Sequence, residues 1–246
     1  TNQIMKKIYS ILFFALFLAG CKKHVEITPV SFITSQSFFK TESDVQGALN
    51  GMYVRFRAMS QINLLVWGEA RSEMMTSSIA GTLGYDRYYT NTISPTLVGP
   101  DWSQIYSAIN AANLIIKYTP DIEFASEAVK KNALAQAYTA RAFLYFLLGK
   151  IWGGVPMRLE PTEGYDPVTI QKPRSTEAEV FTQIKADLDQ ALSLYPDNAF
   201  PAGRNKWSKA AANALKGDVF LWTGKRLNGG TADFTTALAA LEDVKT

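Results

Sequence analysis

The stretch of sequence that decides the fold is RAFLYFLLGKIWGGVP, residues 141–156. Residues 142–148 are apolar or aromatic throughout, and a helix that is apolar on all sides is buried on all sides. We therefore predict that a helix from about Ser126 to Ile151 lies at the centre of the molecule. Two glycines and a proline cannot continue a helix, so Gly153, Gly154 and Pro156 are interpreted as structural residues of a sharp turn.

Arg141 opens this apolar stretch and needs an explanation of its own. An unpaired guanidinium inside a buried helix would cost several kcal/mol, on the order of the penalty for any uncompensated buried charge. We predict that Arg141 pairs with a carboxylate from a neighbouring element, with Glu69, Asp187 and Asp218 as candidates. The alternative is that Arg141 binds an anionic ligand.

Capping signals predict further helices on both sides of this one. Thr41 begins a sequence that resembles a capping box, and apolar residues at helical spacing follow it as far as Met59. Asp101 can cap a helix that ends before Pro120.

Downstream, Thr176 and Glu179 form a capping box, Ser208 caps another helix, and Asp233 starts a last helix that runs to the end of the chain. The helix starts at 176 and 208 are about one tetratricopeptide period apart. The sequence therefore predicts a mostly α fold of about six helices in antiparallel pairs.

Residues 60–100 follow a different pattern. They are rich in Gly, Ser, Thr and Tyr and show no sustained period. This composition predicts a long loop region with room for short strands, and long loops on a rigid scaffold often carry function.

The N-terminus has the features of a lipoprotein signal. Lys6 and Lys7 precede an almost unbroken apolar run at 8–18, which is too short to span a bilayer of roughly 30 Å. Leu18-Ala19-Gly20-Cys21 follows in the form of a lipobox. We expect cleavage before Cys21 and attachment of lipid to its thiol. An ordinary secretory signal, or a core helix with a chance cysteine, is the alternative.

This interpretation divides the chain into a signal peptide (1–20), a lipidated cysteine with its tether (21–40) and a helical domain (41–246). Residues 1–4 precede the expected start at Met5. Cys21 is the only cysteine, so no intrachain disulfide is expected and the fold depends on its apolar core.

Composition and the residue inventory argue against several functions. The net charge of +3 is modest, without the basic stripe of a nucleic-acid binder. The single histidine, His24, lies in the tether, so neither a Ser-His-acid triad nor a zinc site can be built around it. Glu69 and Glu73 could in principle hydrolyse a glycoside, but paired surface acids are the simpler account. We therefore predict a binding protein rather than an enzyme, with no metal and no cofactor.

The ordered motifs resemble those of the RagB/SusD family of outer-membrane nutrient-binding lipoproteins. The R-A-x-x-Y-F helix and G-x-V-P turn are at 141–156, and three more stretches agree in order: Phe39 to Tyr53, Ser175 to Leu192, and Gly203-Arg204 followed by Ala210-Ala211. The resemblance implies a SusD-like fold built on tetratricopeptide-type helix pairs with long irregular loops. Family members are usually about twice as long, so 41–246 is expected to be the N-terminal, C-terminally truncated part.

The resemblance also implies a function and a location. Members of this family are lipid-anchored at the outer membrane, face the cell exterior, bind a glycan or other nutrient, and deliver it to a SusC-like TonB-dependent transporter. The alternative is a lipid-anchored tetratricopeptide scaffold that assembles envelope proteins and has no small-molecule site.

In the family the ligand site draws on loops in the part of the chain that contains residues 60–100. Sugar rings stack on exposed aromatic faces while their hydroxyls need polar partners. The densest such cluster is in the loop at 85–91, and the predicted ligand-binding residues are Tyr85, Tyr88, Tyr89, Asn91 and Trp67. The alternative is that these aromatic side chains attach the loop to the core. Trp102, Trp207 and Trp222 are expected to be packing residues.

Overall fold

The computed structural model describes residues 34–72, 74, 86–94, 101–164 and 166–244. The predicted signal peptide, the lipidation site Cys21, most of the tether, Glu73 and Tyr85 lie outside these residues.

The described chain is helical, as predicted. Six long helices are present: α2 (Glu42–Trp67), α4 (Ser103–Tyr118), α5 (Glu127–Trp152), α7 (Glu177–Leu194), α8 (Lys209–Arg226) and α9 (Gly230–Glu242). Three single-turn helices join them: α1 (Ser35–Phe38), α3 (Asp86–Tyr89) and α6 (Pro167–Ile170). Short 3-10 turns are at Glu69–Arg71, Thr119–Asp121 and Ala202–Arg204. The described residues contain no β-strand and no helix that is long and apolar enough to cross a membrane.

Helix α5 is the central buried helix, which confirms the prediction from residues 142–148. It packs against α4 on one side and α7 on the other, while α2 packs on α4 and α8 packs on α9. Leu144, Tyr145 and Phe146 of α5 are almost completely buried. Close helix contact in this bundle depends on small residues, because Ala135, Ala191 and Ala212 from three different helices meet in one cluster.

Side-chain caps fix several helix starts as the sequence predicts. The Thr41 and Thr176 capping boxes are both formed, and the hydroxyl of Ser208 accepts the N–H of Ala211. The carboxylate of Asp101 accepts the N–H of Ser103 at 2.8 Å, so it caps α4 from just outside the helix.

The capping box of α7 provides a direct stability test. The Thr176 hydroxyl accepts the N–H of Glu179, and the Glu179 carboxylate accepts the N–H of Thr176 at 2.7 Å. We expect Thr176→Ala to lower the free energy of unfolding by about 1 kcal/mol, measured by urea denaturation. Ser126→Ala is the matched control, because Ser126 is also an N-cap but makes no side-chain capping bond. An equal loss in both variants would contradict a specific role for the capping box.

Two helix boundaries differ from the prediction. Helix α2 continues two turns beyond Met59 to Trp67, into the region expected to be loop, because Val66 and Trp67 reach the same buried core as Met59. The last helix begins at Gly230 rather than at Asp233 and ends at Glu242, short of Thr246. Asp233 lies in the first turn of α9, where its carboxylate accepts a hydrogen bond from Lys185 Nζ of α7 at 2.9 Å.

Candidate functional site

Arg141 is buried and paired, as predicted, and its partner is Asp187 of α7. The two side chains are 5% and 2% exposed. The guanidinium donates from Nε to Asp187 Oδ2 at 2.8 Å and from Nη2 to Asp187 Oδ1 at 2.6 Å. This is the bidentate geometry that makes arginine–carboxylate pairs strong and directional. Burial by itself would lower the pKa of Arg141, but the Asp187 carboxylate more than offsets this and holds that pKa above its usual value.

The same guanidinium also holds the segment that follows α5. Its Nη1 donates to Asn113 Oδ1 at 2.9 Å and to the Leu159 carbonyl at 3.2 Å. Asn113 Nδ2 in turn donates to the carbonyl of Arg158 at 2.9 Å. Hydrogen bonds therefore connect the buried ion pair to the backbone of residues 158 and 159.

We call residues 153–164 the strap, because they run as an irregular segment across α4 and α5. The strap begins at Gly153, whose φ of +68° explains why a glycine is needed at this turn. The Tyr106 hydroxyl donates to the Pro156 carbonyl at 2.6 Å, and the Tyr145 hydroxyl donates to the Arg158 carbonyl at 2.9 Å. Side chains from both helices thus fix the course of the strap.

The structure brings four of the five predicted ligand-binding residues to the C-terminal end of α2. Tyr88 and Trp67 are only 2% and 8% exposed, so the faces of these rings are not accessible for stacking. Their burial favours the alternative that they attach the loop to the core. Tyr89 packs on the same core but stays partly exposed. Asn91 is exposed and accepts the Nε–H of Arg71 at 3.2 Å.

A chain of four aromatic side chains leads from this end of α2 to the start of α4. Trp67 contacts Trp152 edge-on with ring centroids 5.4 Å apart, and Trp152 contacts Trp102 at 5.9 Å. Trp102 then contacts Tyr106 edge-on at 5.9 Å. The Trp67 indole N–H has no hydrogen-bond partner among the described residues. Trp67, at one end of this chain, is buried, whereas Trp102, Tyr106 and Trp152 are half-buried.

An open cleft of about 750 Å³ lies at the exposed end of this aromatic chain. Helix α4 and the strap form two of its walls, and residues 170–173 form the third. We call it the Trp102 cleft; its principal lining residues are Asp101, Trp102, Tyr106, Pro156, Arg158 and Lys172. A second cavity of about 520 Å³ adjoins it and shares Arg158, Ile170, Gln171 and Lys172 with it.

Positive charge surrounds the aromatic side of the cleft. The Arg174 guanidinium carbon is 5.5 Å from the Trp102 ring centroid. A guanidinium N–H of Arg158 donates to the Ile170 carbonyl. Burial raises the pKa of Tyr106 to about 12, while the positive charges of Arg158 and Arg174 act in the opposite direction. The Tyr106 phenol therefore stays protonated and keeps its hydrogen bond to the strap at physiological pH.

The cleft has the chemistry of a binding site. It combines an aromatic surface with hydrogen-bond donors and acceptors, as sugar recognition requires. Among the described residues, no three His, Cys, Asp or Glu side chains group in a way that could hold a metal ion.

Sequence reasoning did not find this cleft. Trp102 was expected to be a packing residue, and it does pack on Trp152 and Tyr106, yet it stays half-buried at the cleft. The signal available was the non-periodic run Gln171-Lys172-Pro173-Arg174, a polar and basic loop soon after the Gly-Gly-Val-Pro turn. Trp207 and Trp222 are packing residues as expected, in contact with Phe143 and Phe146 respectively.

Comparison with known proteins gives consistent matches. A family model described as SusD-like, "Starch-binding associating with outer membrane", matches residues 32–221. SusD-like protein P2 of Formosa agariphila is 33% identical over 236 residues, which cover 89% of this chain and 44% of that protein. The chain thus spans less than half the length of this relative.

Solved structures show the same fold. B. fragilis NanU superposes with a TM-score of 0.78 at 34% identity, covering 89% of this chain and 44% of that one. A structure described as a laminarin-binding SusD-like protein superposes with a TM-score of 0.69 at 26% identity, covering 84% of this chain and 44% of that one.

Proposed function

This chain belongs to the SusD-like family of starch-binding proteins that associate with the outer membrane, and we propose that it forms the glycan-capturing part of such a protein. The proposed protein is a lipoprotein anchored through Cys21 after removal of residues 1–20, with 21–40 as its tether. It binds a glycan or other nutrient outside the cell and delivers it to a SusC-like TonB-dependent transporter without chemically changing it.

One observation carries this proposal. The family match over residues 32–221 includes the whole aromatic chain and the whole Trp102 cleft, so the residues that resemble the family also form the candidate site. The laminarin-binding relative supports a glycan as the ligand. A half-buried tryptophan beside an open cleft is the arrangement expected of a surface that stacks on sugar rings.

The proposal revises which side chains contact the ligand. Trp102 and Tyr89 are aromatic residues that remain partly exposed, and Asn91 remains an exposed amide. Trp67 and Tyr88 are buried in the core against which Trp102 and Tyr89 pack, so they do not form this surface themselves. Tyr85 remains a predicted contact that lies outside the described residues.

The test is glycan binding by the full-length protein, measured by calorimetry after a screen that includes starch and laminarin oligosaccharides. We expect Trp102→Ala to weaken binding about two- to tenfold, because a lost ring stacking contact contributes roughly 0.5–1.5 kcal/mol. Trp222→Ala is the control: Trp222 is also half-buried and packs on α5, but it does not line the cleft.

The outcomes separate the two hypotheses for this protein. Equal losses in both variants would show that binding depends on general stability rather than on the cleft. If the full-length protein binds no glycan or other nutrient, the nutrient-capture proposal fails and the scaffold interpretation replaces it.

A further inference from the structure

We infer that the Trp102 cleft selects acidic saccharides, meaning sugars that carry carboxylate or sulfate groups. This inference rests on the proposed function and specifies the class of glycan that the site accepts.

Among the described residues of the Trp102 cleft, cationic side chains outnumber acidic ones. Arg158 and Lys172 line the cleft, and Arg174 lies against Trp102 at its edge. The ion pairs of the described residues use other cations, namely Lys117, Arg141, Lys150, Lys185 and Lys216. The three cations of the cleft therefore form no ion pair with any carboxylate in the described part of the chain.

Among the described residues that line the Trp102 cleft, the one acidic side chain is already engaged. Asp101 accepts the N–H of Ser103 at 2.8 Å and its hydroxyl at 2.6 Å. The hydrogen bonds from the Ser103 side chain and backbone lower the pKa of Asp101, so it stays ionised while it caps α4. Its charge lies at the positive end of the α4 dipole, and it forms no ion pair with Arg158, Lys172 or Arg174.

The guanidinium groups of Arg158 and Arg174 are each held in place by a contact that leaves N–H donors available. Arg174 is held by the face of Trp102, a contact that positions the cation while leaving its in-plane N–H groups available. Arg158 is held at the cleft wall by the Ile170 carbonyl, a bond that uses one of its five N–H donors. Planar guanidinium groups with spare donors match the paired oxygens of a carboxylate or sulfate.

The Arg174 guanidinium lies next to the Trp102 ring. A saccharide that stacks on Trp102 brings its acidic substituent within reach of Arg174, so the apolar and ionic contacts act on the same sugar unit. The adjoining cavity shares Arg158 and Lys172 with the Trp102 cleft, but Glu160, Glu163 and Asp166 also line it. The preference for anions therefore belongs to the Trp102 end of the surface.

The experiment compares three oligosaccharides of equal length on the full-length protein by calorimetry: a polygalacturonate, a sulfated dextran and a neutral laminarin fragment. We expect at least one acidic probe to bind about tenfold more tightly than the neutral one. This preference should decrease as the salt concentration is raised. The stronger of the two acidic probes identifies whether carboxylate or sulfate is the preferred group.

The variant is Lys172→Gln combined with Arg174→Gln, and we expect it to remove most of the tenfold preference. Lys225→Gln with Arg226→Gln is a closely matched control: both residues are exposed, and Arg226 lies 5.8 Å from the Trp222 ring centroid. Both double variants lose the same charge, so general electrostatic attraction affects them equally. Thermal unfolding of both variants checks that each remains folded.

Three results would overturn the inference. Equal affinity for the acidic and neutral probes overturns it and leaves the proposed function intact. An equal loss of preference in the control variant assigns the effect to overall charge rather than to the cleft. Absence of binding to any saccharide overturns both this inference and the proposed function.

Discussion

Replacement of Asp187 by alanine is expected to lower the free energy of unfolding by about 3–5 kcal/mol, because it leaves the Arg141 guanidinium buried without a counter-charge. Arg141 is 5% exposed and cannot turn to solvent without opening the contact between α5 and α7. The loss also removes the carboxylate that accepts Gln183 Nε2 at 2.8 Å. Urea denaturation followed by circular dichroism measures the change.

Asp189→Ala is the matched control for this experiment. Asp189 lies on the same helix two residues later, and its carboxylate pairs with Lys216 at 2.7 Å, but its side chain is 64% exposed. Exposed ion pairs contribute about 0–1 kcal/mol, so this variant should remain close to the parent protein.

The double variant Arg141→Met with Asp187→Leu replaces both charged side chains of the buried ion pair by apolar ones. We expect it to recover much of the stability that Asp187→Ala loses, because no charge is then left buried alone. If Asp187→Ala were no more destabilising than Asp189→Ala, the central role of the buried pair would be wrong.

Gly154→Ala is expected to destabilise the protein by about 2–3 kcal/mol, as overpacking of a closely packed site does. A Cβ atom added at Gly154 would lie 2.3 Å from the Ser175 carbonyl oxygen. That neighbour is backbone, and the N–H of Ser175 donates to the Val155 carbonyl at 3.0 Å, so the two segments cannot separate without breaking this bond. Thermal and urea unfolding provide the measurement.

Gly164→Ala tests whether the effect is specific to that contact. A Cβ at Gly164 would meet nothing within 4 Å, and no left-handed φ is required there. Alanine at such a position should be neutral or stabilise the protein by up to about 1 kcal/mol, because it reduces the conformational entropy of the unfolded chain. Similar losses at both glycines would contradict the steric argument.

The buried ion pair and the helix starts that carry a capping box could be predicted from the sequence, because each depends on a local or strongly restricted signal. Thr176 and Glu179 are three residues apart, so their capping box is a local pattern. Arg141 required a carboxylate, and its partner Asp187 is one of the three candidates Glu69, Asp187 and Asp218.

The cleft could not be predicted, because its residues meet only through the folded course of the strap. Trp102 and Arg174 are far apart in the sequence, and the strap between them has no period from which its path could be inferred. The burial of Tyr88 could not be predicted either, because the local sequence around an aromatic residue in a polar loop is the same whether its side chain faces solvent or the core. The two extra turns of α2 were missed because polar Ser60, Gln61 and Asn63 interrupt the apolar spacing before Val66 restores it.

The way the strap is held has a consequence for how ligand preference can change. Tyr106, Tyr145, Asn113 and Arg141 all reach the strap through its carbonyl groups rather than through its side chains. Peptide carbonyls are the same whatever residue carries them, so these anchors do not depend on the identity of most strap residues. The side chain at position 158 can therefore be exchanged while the anchors hold the backbone in place. The helices hold the backbone of the strap, so partly exposed side chains such as that at position 158 can be changed to engineer new specificities without redesigning the core.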